Sequence, residues 1–284
     1  PDTAVEDTAY LNRCLQGLYT PGSVFKIITA ASALENDPGV VDQTFSCAGI
    51  WEFGSSKVNC AGNTAHGALK LKKAFAKSCN VTFGKIAYQL GEDRLRATAE
   101  RFGFNENFKF GDFLIYNSKF PTQTTGDADL VWAGVGQSTV LVTPLHMAMI
   151  SASIANEGVM MRPKLVREIT NSNGATVTRM ETAAYRQVVS PQVAQTLASY
   201  MYEAVQSGTA SKAAISGAIV CGKTGSAETS DDKSVKTNAW YTGFVYDDDR
   251  PYAIAVVIEE AGAGGSQAAP VAAKALKKAL ELAP

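Results

Sequence analysis

The sequence predicts an α/β chain of the α+β kind: an antiparallel sheet flanked by helices, plus a mostly helical lobe. Three observations predict it. Apolar residues recur at helical spacing through much of residues 23–102. Three strand-like runs follow near the C-terminal end, Ala218 to Glu228, Asn238 to Tyr246 and Pro251 to Glu259. Only a short turn separates the last two, so antiparallel pairing is expected. A helical segment from Val271 to Leu282 then supplies a face to pack on that sheet.

Taken in order, Ser23 to Glu35 reads as a helix. Pro21-Gly22 marks a turn before it, Phe25, Ile28, Ala31 and Leu34 share a face, and Asp37-Pro38-Gly39 ends it. Residues 42–68 are rich in turn formers and read as irregular. Leu69 to Leu90 reads as helical with a break near Ser78, and Glu92 to Phe102 as a further helix stopped by Gly103. Residues 104–130 form a long connection, and long connections tend to be functional or floppy. Thr143 caps a helix with Pro144 in its first turn, running to Asn156 and closed by Gly158. Leu165 to Arg179 reads as a hairpin turning at Asn173-Gly174. Ser190-Pro191 opens a helix through Gln206 that ends at Gly208, and Gly264-Gly265 leads into Pro270 and the last helix.

Composition narrows the function classes. Of 284 residues 46% are hydrophobic and 19% charged, a globular balance. The 26 basic and 27 acidic residues leave a net charge of −1, so nothing pulls the whole chain toward nucleic acid or anionic lipid. The acidic runs Asp231-Asp232 and Asp247-Asp248-Asp249 read as solvated turns. No stretch approaches the roughly 18 apolar residues of a membrane span, and the run Ala253 to Ile258 suits a buried strand. The start, Pro1-Asp2-Thr3, has neither a signal peptide nor an initiator Met and reads as a fragment or a processed chain.

The five cysteines, Cys14, Cys47, Cys60, Cys79 and Cys221, are odd in number and cannot form a complete disulfide set. Three readings stay open for Cys47 and Cys60, 13 residues apart: free thiols, a disulfide, or a metal site with His66. The absence of C-x-x-C weighs against metal. His66 and His146 are too distant in sequence to suggest a metal pair, and His146 reads as packing. Trp51, Trp132 and Trp240 read as packing or groove lining. Gly262, Gly264 and Gly265 lack the Lys-Ser/Thr ending of a phosphate loop and read as a turn.

Three short elements carry chemistry. Ser23 and Lys26, at i and i+3 near a helix start, emerge on one face. A serine hydroxyl needs a base, and a lysine serves once burial lowers its pKa. A second S-x-x-K match, Ser230 with Lys233, shows that the pair alone proves little. Ser78-Cys79-Asn80 sets a hydroxyl and an amide two residues apart at the expected helix break. Lys223-Thr224-Gly225 lies in a strand-like run, where alternation puts Lys223 and Gly225 on one face and Thr224 on the other. A glycine there admits a second backbone, and a strand edge suits a peptide substrate.

Together these run S-x-x-K, S-x-N 55 residues on, and K-T-G 145 residues further, the order found in penicillin-binding proteins and class A β-lactamases. The flanks sharpen the likeness. Asn12-Arg13 with Tyr19 through Lys26, Gly134 to Gln137 with Thr143-Pro144-Leu145, Ile154 to Gly158, and Gly222 to Glu228 resemble segments of penicillin-binding proteins, most closely the monofunctional class B transpeptidases. The likeness spans nearly the whole chain. It departs at Val24 and Ser226, where Thr is usual. The strands that normally precede the nucleophile helix also look missing, as do the family's pedestal domain and membrane anchor.

The resemblance implies a penicillin-binding, β-lactamase-like fold over residues 1–284 as one N-terminally truncated transpeptidase domain. It implies a D,D-transpeptidase outside the bacterial cell membrane, held there by an anchor outside this chain. The implied substrates are peptidoglycan stem peptides ending in D-Ala-D-Ala and an acceptor amine. β-Lactams and a cell-wall synthesis complex serving shape or division are the implied partners, with no cofactor. Ser23 would be the nucleophile, Lys26 the base, Ser78 and Lys223 the proton path to the leaving group, and Asn80 the substrate and lysine orienter. Thr224 and Gly225 would hold the substrate, and Ser226 with Ser23 would supply oxyanion N–H groups. The rivals are a D,D-carboxypeptidase, a β-lactamase, a β-lactam sensor and a non-catalytic scaffold. No Glu-x-x-x-Asn pattern is present, which argues against a class A β-lactamase.

Overall fold

The computed structural model describes residues 11–110, 113–230, 232, 234–247 and 251–282. Pro1-Asp2-Thr3, Asp231, Lys233 of the second S-x-x-K match, and Asp248-Asp249 lie outside the described residues.

A short α1 (Arg13–Gln16), capped by the Asn12 side chain, precedes a 3-10 turn, Gly22–Phe25, that runs directly into α2 (Lys26–Asn36). The expected helix from Ser23 is thus 3-10 in its first turn and α-helical from Lys26. Nine residues of α2 in a row, Lys26 to Leu34, are buried. A helix apolar almost all round becomes the centre of a bundle, and α2 packs against the helices over Asn80–Leu90, Glu92–Arg101 and Pro191–Ser207.

Residues 42–68 correct the sequence reading: they hold short strands rather than irregular chain. These are β1 (Thr44–Cys47), β2 (Ile50–Phe53) and β3 (Ser56–Asn59), followed by β4 (Gly67–Lys70). β1 pairs with β4 and β2 with β3, each antiparallel. Leu69 and Lys70 belong to β4, so α3 (Leu71–Ala76) begins two residues later than periodicity suggests. The break at Ser78 is present. The chain leaves α3, Ser78 takes a left-handed backbone with φ 56°, and α4 (Asn80–Leu90) starts. α5 (Glu92–Arg101) follows.

The connection 104–130 is shorter than expected, because β5 (Lys109–Phe110) and β6 (Phe113–Leu114) pair within it and α6 (Asp127–Gly134) ends it. α7 (Pro144–Ala155) carries the expected Thr143 cap, whose hydroxyl accepts from the His146 N–H. β7 (Val159–Met161) pairs with a later strand over Ala184–Gln187, and β8 (Glu168–Thr170) with β9 (Thr176–Arg179) makes the expected hairpin. β10 (Ala184–Gln187) leads to α8 (Pro191–Ser207), capped by Ser190 as its sequence signals.

The main sheet is β11 (Val220–Ala227), β12 (Asn238–Val245) and β13 (Ala253–Ile258), antiparallel and in that order, before α9 (Ala268–Leu282). Every residue of β12 is buried, so both faces of the sheet are covered, and α7 and α9 both pack on this strand. β11 is an edge of this sheet and packs against the 3-10 turn of Ser23 and against α8. The indole N–H of Trp240 on β12 donates to the Thr20 carbonyl at 3.0 Å, joining sheet and helical lobe beside Ser23.

Candidate active site

The turn before Ser23 is built by close backbone approach. Gly22 has φ 55° and donates its N–H to the Gly136 carbonyl at 2.8 Å. A β-carbon on Gly136, itself at φ 82°, would sit 2.0 Å from the Gly22 carbonyl oxygen. One on Gly225 would sit 2.8 Å from the Pro21 carbonyl oxygen, so the expected close approach at the third motif is to the nucleophile turn itself.

All three motifs meet. The Lys26 ammonium donates to Ser23 Oγ at 3.1 Å, Asn80 Oδ1 at 2.6 Å, the Ser78 carbonyl at 2.8 Å and Ser78 Oγ at 3.3 Å. Lys223 reaches Ser78 Oγ from the other side at 2.9 Å and also donates to the Thr224 carbonyl at 2.9 Å. Asn80 is oriented in turn by its amide N–H, which donates to the Asn59 carbonyl at 2.8 Å. Two hydroxyls, an amide and two ammonium groups from three segments therefore form one connected network.

Both lysines are wholly buried. Burial pushes Lys26 down to about 8, and it pushes Lys223 well below the ordinary lysine range, helped by the charge of Lys26. Their neighbours differ: the Cys79 and Cys60 side chains favour the charged form of Lys26, whereas the charge of Lys26 disfavours that of Lys223. The Phe83 ring lies 5.5 Å from the Lys26 nitrogen and the Phe75 ring 5.7 Å from that of Lys223. These rings exclude water and leave weak cation–π stabilisation in its place.

Above the buried amines lies an open groove. One part, about 780 Å³, is lined by Trp132, Gln137 and Asn59, and another, about 460 Å³, by Ser78, Thr224, Gly225 and Gly265. Ser23, Asn80 and Ser226 line both. Thr224 is held by a 2.7 Å hydrogen bond between its hydroxyl and that of Thr209, and Ser226 Oγ accepts from the Gly264 N–H at 3.2 Å. Trp132 is groove lining, one of the two readings its sequence leaves open, while Trp240 is packing. Sequence reasoning missed Asn59, Thr209 and the two phenylalanines. They act through a backbone carbonyl, through a hydroxyl after a helix-ending glycine, or as ordinary core, and only Gly208-Thr209 carried a signal.

The comparisons with known proteins agree with this geometry. Residues 1–277 match the family model described as penicillin binding protein transpeptidase domain. The chain is 36% identical over 291 residues to peptidoglycan D,D-transpeptidase PbpA of Mycolicibacterium smegmatis, covering 95% of this chain and 57% of that protein. It thus spans little more than half of that relative's length. The D,D-transpeptidase domain of a peptidoglycan glycosyltransferase from Eggerthella lenta superposes with a TM-score of 0.90 at 33% identity, covering 98% of this chain and 69% of the other. Penicillin-binding protein A of M. tuberculosis, solved as a ceftriaxone acyl-enzyme, superposes with 0.88 at 31% identity, covering 95% and 62%. With its three motifs joined in one network and this match along nearly its whole length, the chain belongs to the penicillin-binding protein transpeptidase domain family.

Proposed function

We propose that residues 1–284 act as one D,D-transpeptidase domain that cross-links peptidoglycan stem peptides through an acyl-enzyme on Ser23, and that β-lactams acylate the same hydroxyl. The observation that carries this reading is the Lys26 nitrogen 3.1 Å from Ser23 Oγ, linked through Ser78 to Lys223.

The neutral Lys26 amine takes the Ser23 proton as Oγ attacks the carbonyl of the penultimate D-Ala. The N–H groups of Ser23 and Ser226 receive the developing oxyanion, a donor of this kind contributing about 3 kcal/mol to the transition state. Ser78 passes a proton to the departing nitrogen, with Lys223 behind it. The C–N bond breaks, and terminal D-Ala leaves as an amine. Asn80 orients both Lys26 and the substrate amide. Thr224 binds the terminal carboxylate, and Gly225 keeps the strand edge close to the nucleophile turn. An amine of a neighbouring stem peptide then attacks the ester carbonyl, freeing Ser23. A β-lactam opens on the same route, but its leaving nitrogen stays tethered, and the ester persists.

The same reading puts the domain outside the bacterial cell membrane, in a complex that builds wall for shape or division. Mass spectrometry after incubation with a penicillin tests the central step. One adduct on the peptide containing Ser23, lasting many minutes and lost in Ser23→Ala, is expected. No adduct on folded protein, or rapid drug hydrolysis, contradicts it.

A further inference from the structure

The groove over Ser23 changes its charge from one part to the other. Lys77 lines the smaller part, and no carboxylate does among the described residues. Asp129 and Glu228 line the larger part, and no basic side chain does among the described residues. A peptide lying across Ser23 therefore has one end in basic surroundings and the other in acidic ones. The basic part also holds Thr224, the group given to the terminal carboxylate above. The leaving D-Ala belongs there, and the acyl half of the donor, with the residue before the two D-Ala, extends into the acidic part. This assignment of ends rests on the transpeptidase reading.

The acidic part is built to take a particular side chain. Asp129 and Trp132, three apart on α6, share a helix face, and both are half-buried in the groove wall. Asp129 Oδ2 accepts from the Thr125 N–H at 3.1 Å, which ties the carboxylate to the start of its own helix. Oδ1 accepts from the hydroxyl of Ser138, itself a groove residue. A carboxylate offers about four acceptor positions, so about two remain for a ligand once these contacts are made. The two contacts also fix the carboxylate in one orientation, so little side-chain freedom is lost on binding. Trp132 adds an apolar face one helical turn away. An aliphatic stem ending in an ammonium matches this wall, its methylenes against the indole and its nitrogen on the carboxylate.

We infer that Asp129 is a specificity-determining residue that reads the side-chain ammonium of a diamino acid placed immediately before the two D-Ala of the donor stem peptide, with Trp132 packing on its methylenes. The substrate class is thus a peptide whose third-residue amine is free and charged. Acylating that amine removes its charge, so a stem that has already served as acceptor through this amine becomes a poorer donor. The groove then favours fresh stems over stems already joined.

The test uses the whole chain and two short donors, with no acceptor amine present. One is Nα-acetyl-L-Lys-D-Ala-D-lactate with its ε-amine free, and the other carries that amine acetylated. Acylation of Ser23, followed by mass spectrometry, is expected to be about fivefold or more faster with the free amine. Asp129→Asn is expected to bring the two donors within about twofold of each other. Asp129→Lys should reverse the order and favour a donor whose ε-amine is succinylated. Each variant is read as a ratio between donors, so a general loss of activity cancels. A measurement that needs no variant is salt: at about 1 M the parent chain's preference should shrink. Equal rates for the two donors, while penicillin still labels Ser23, overturn the ammonium site and leave the enzyme assignment standing. A preference that survives both substitutions also overturns it, as does one that appears only when an acceptor amine is added. No Ser23 adduct with either donor or with penicillin removes the transpeptidase reading itself, and the donor assignment with it.

Discussion

Ser78 receives hydrogen bonds from both buried amines while its own backbone sits at φ 56°, a region costly for any residue with a β-carbon. Its two contributions can be separated. Ser78→Gly removes the hydroxyl but relieves the backbone, so thermal stability is expected to stay equal or rise by about 1–3 kcal/mol. Acylation by penicillin is expected to slow by about 10²–10⁴-fold, the usual worth of a proton-transfer group. A large loss of stability in melting experiments would show that the hydroxyl chiefly supports the fold. Lys26 yields a pH prediction. Its base form is the unprotonated one, and burial brings its pKa down to about 8. The acylation rate should rise roughly tenfold per pH unit below that point and level off above it. A flat profile through this range, measured by rapid-mixing fluorescence, would remove Lys26 as the base.

At the scale of elements, the nucleophile turn depends on a glycine outside all three motifs. A β-carbon at Gly136 meets the Gly22 carbonyl oxygen at 2.0 Å, and backbone cannot yield as a side-chain tip does. Gly136→Ala is therefore expected to cost more than about 1 kcal/mol in denaturant unfolding. It should also slow acylation about 10²-fold through displacement of Ser23. Normal acylation in a stable variant would show that the turn is not set there. Helices were legible because they announce themselves locally: Thr143-Pro144 and Ser190-Pro191 mark their starts through caps now seen as hydrogen bonds. β1 to β4 were not, because four-residue strands between turn formers show too little alternation. Thr44–Cys47, exposed and buried by turns, is visible as a strand only beside its partner. The lysine network is legible from three spaced motifs, and Cys47, Cys60 and His66 already stand together among the readings of the sequence. Cys79 does not, because tertiary folding alone brings it to Cys60, 19 residues away.

At the scale of the whole molecule, acid stability has an identifiable contributor. His146 is fully buried in α7, with Nδ1 2.7 Å from Ser118 Oγ and Nε2 2.7 Å from the Phe102 carbonyl. A carbonyl only accepts, so Nε2 carries the proton and Nδ1 accepts from Ser118. Burial holds the imidazole neutral, lowering its pKa from an ordinary 6.5 to about 4. The unfolded chain then binds the proton more readily than the folded one. Stability from this source is complete above pH 6.5 and is lost as pH falls toward 4, by about 3 kcal/mol in all. In urea unfolding across that window, His146→Gln should show a flatter slope than the parent chain. An equal slope would place the acid sensitivity elsewhere.

The Lys223–Ser78 hydrogen bond joins residues 145 apart in the chain, and the Trp240–Thr20 bond joins residues 220 apart. Contacts so distant form only after much loop entropy has been lost. A nascent chain whose ribosome has not yet released the β11–β12 hairpin carries the serine but not its completed surroundings. Radiolabelled penicillin would pass such a chain by, so drug labelling during synthesis becomes a clock for the moment the fold closes.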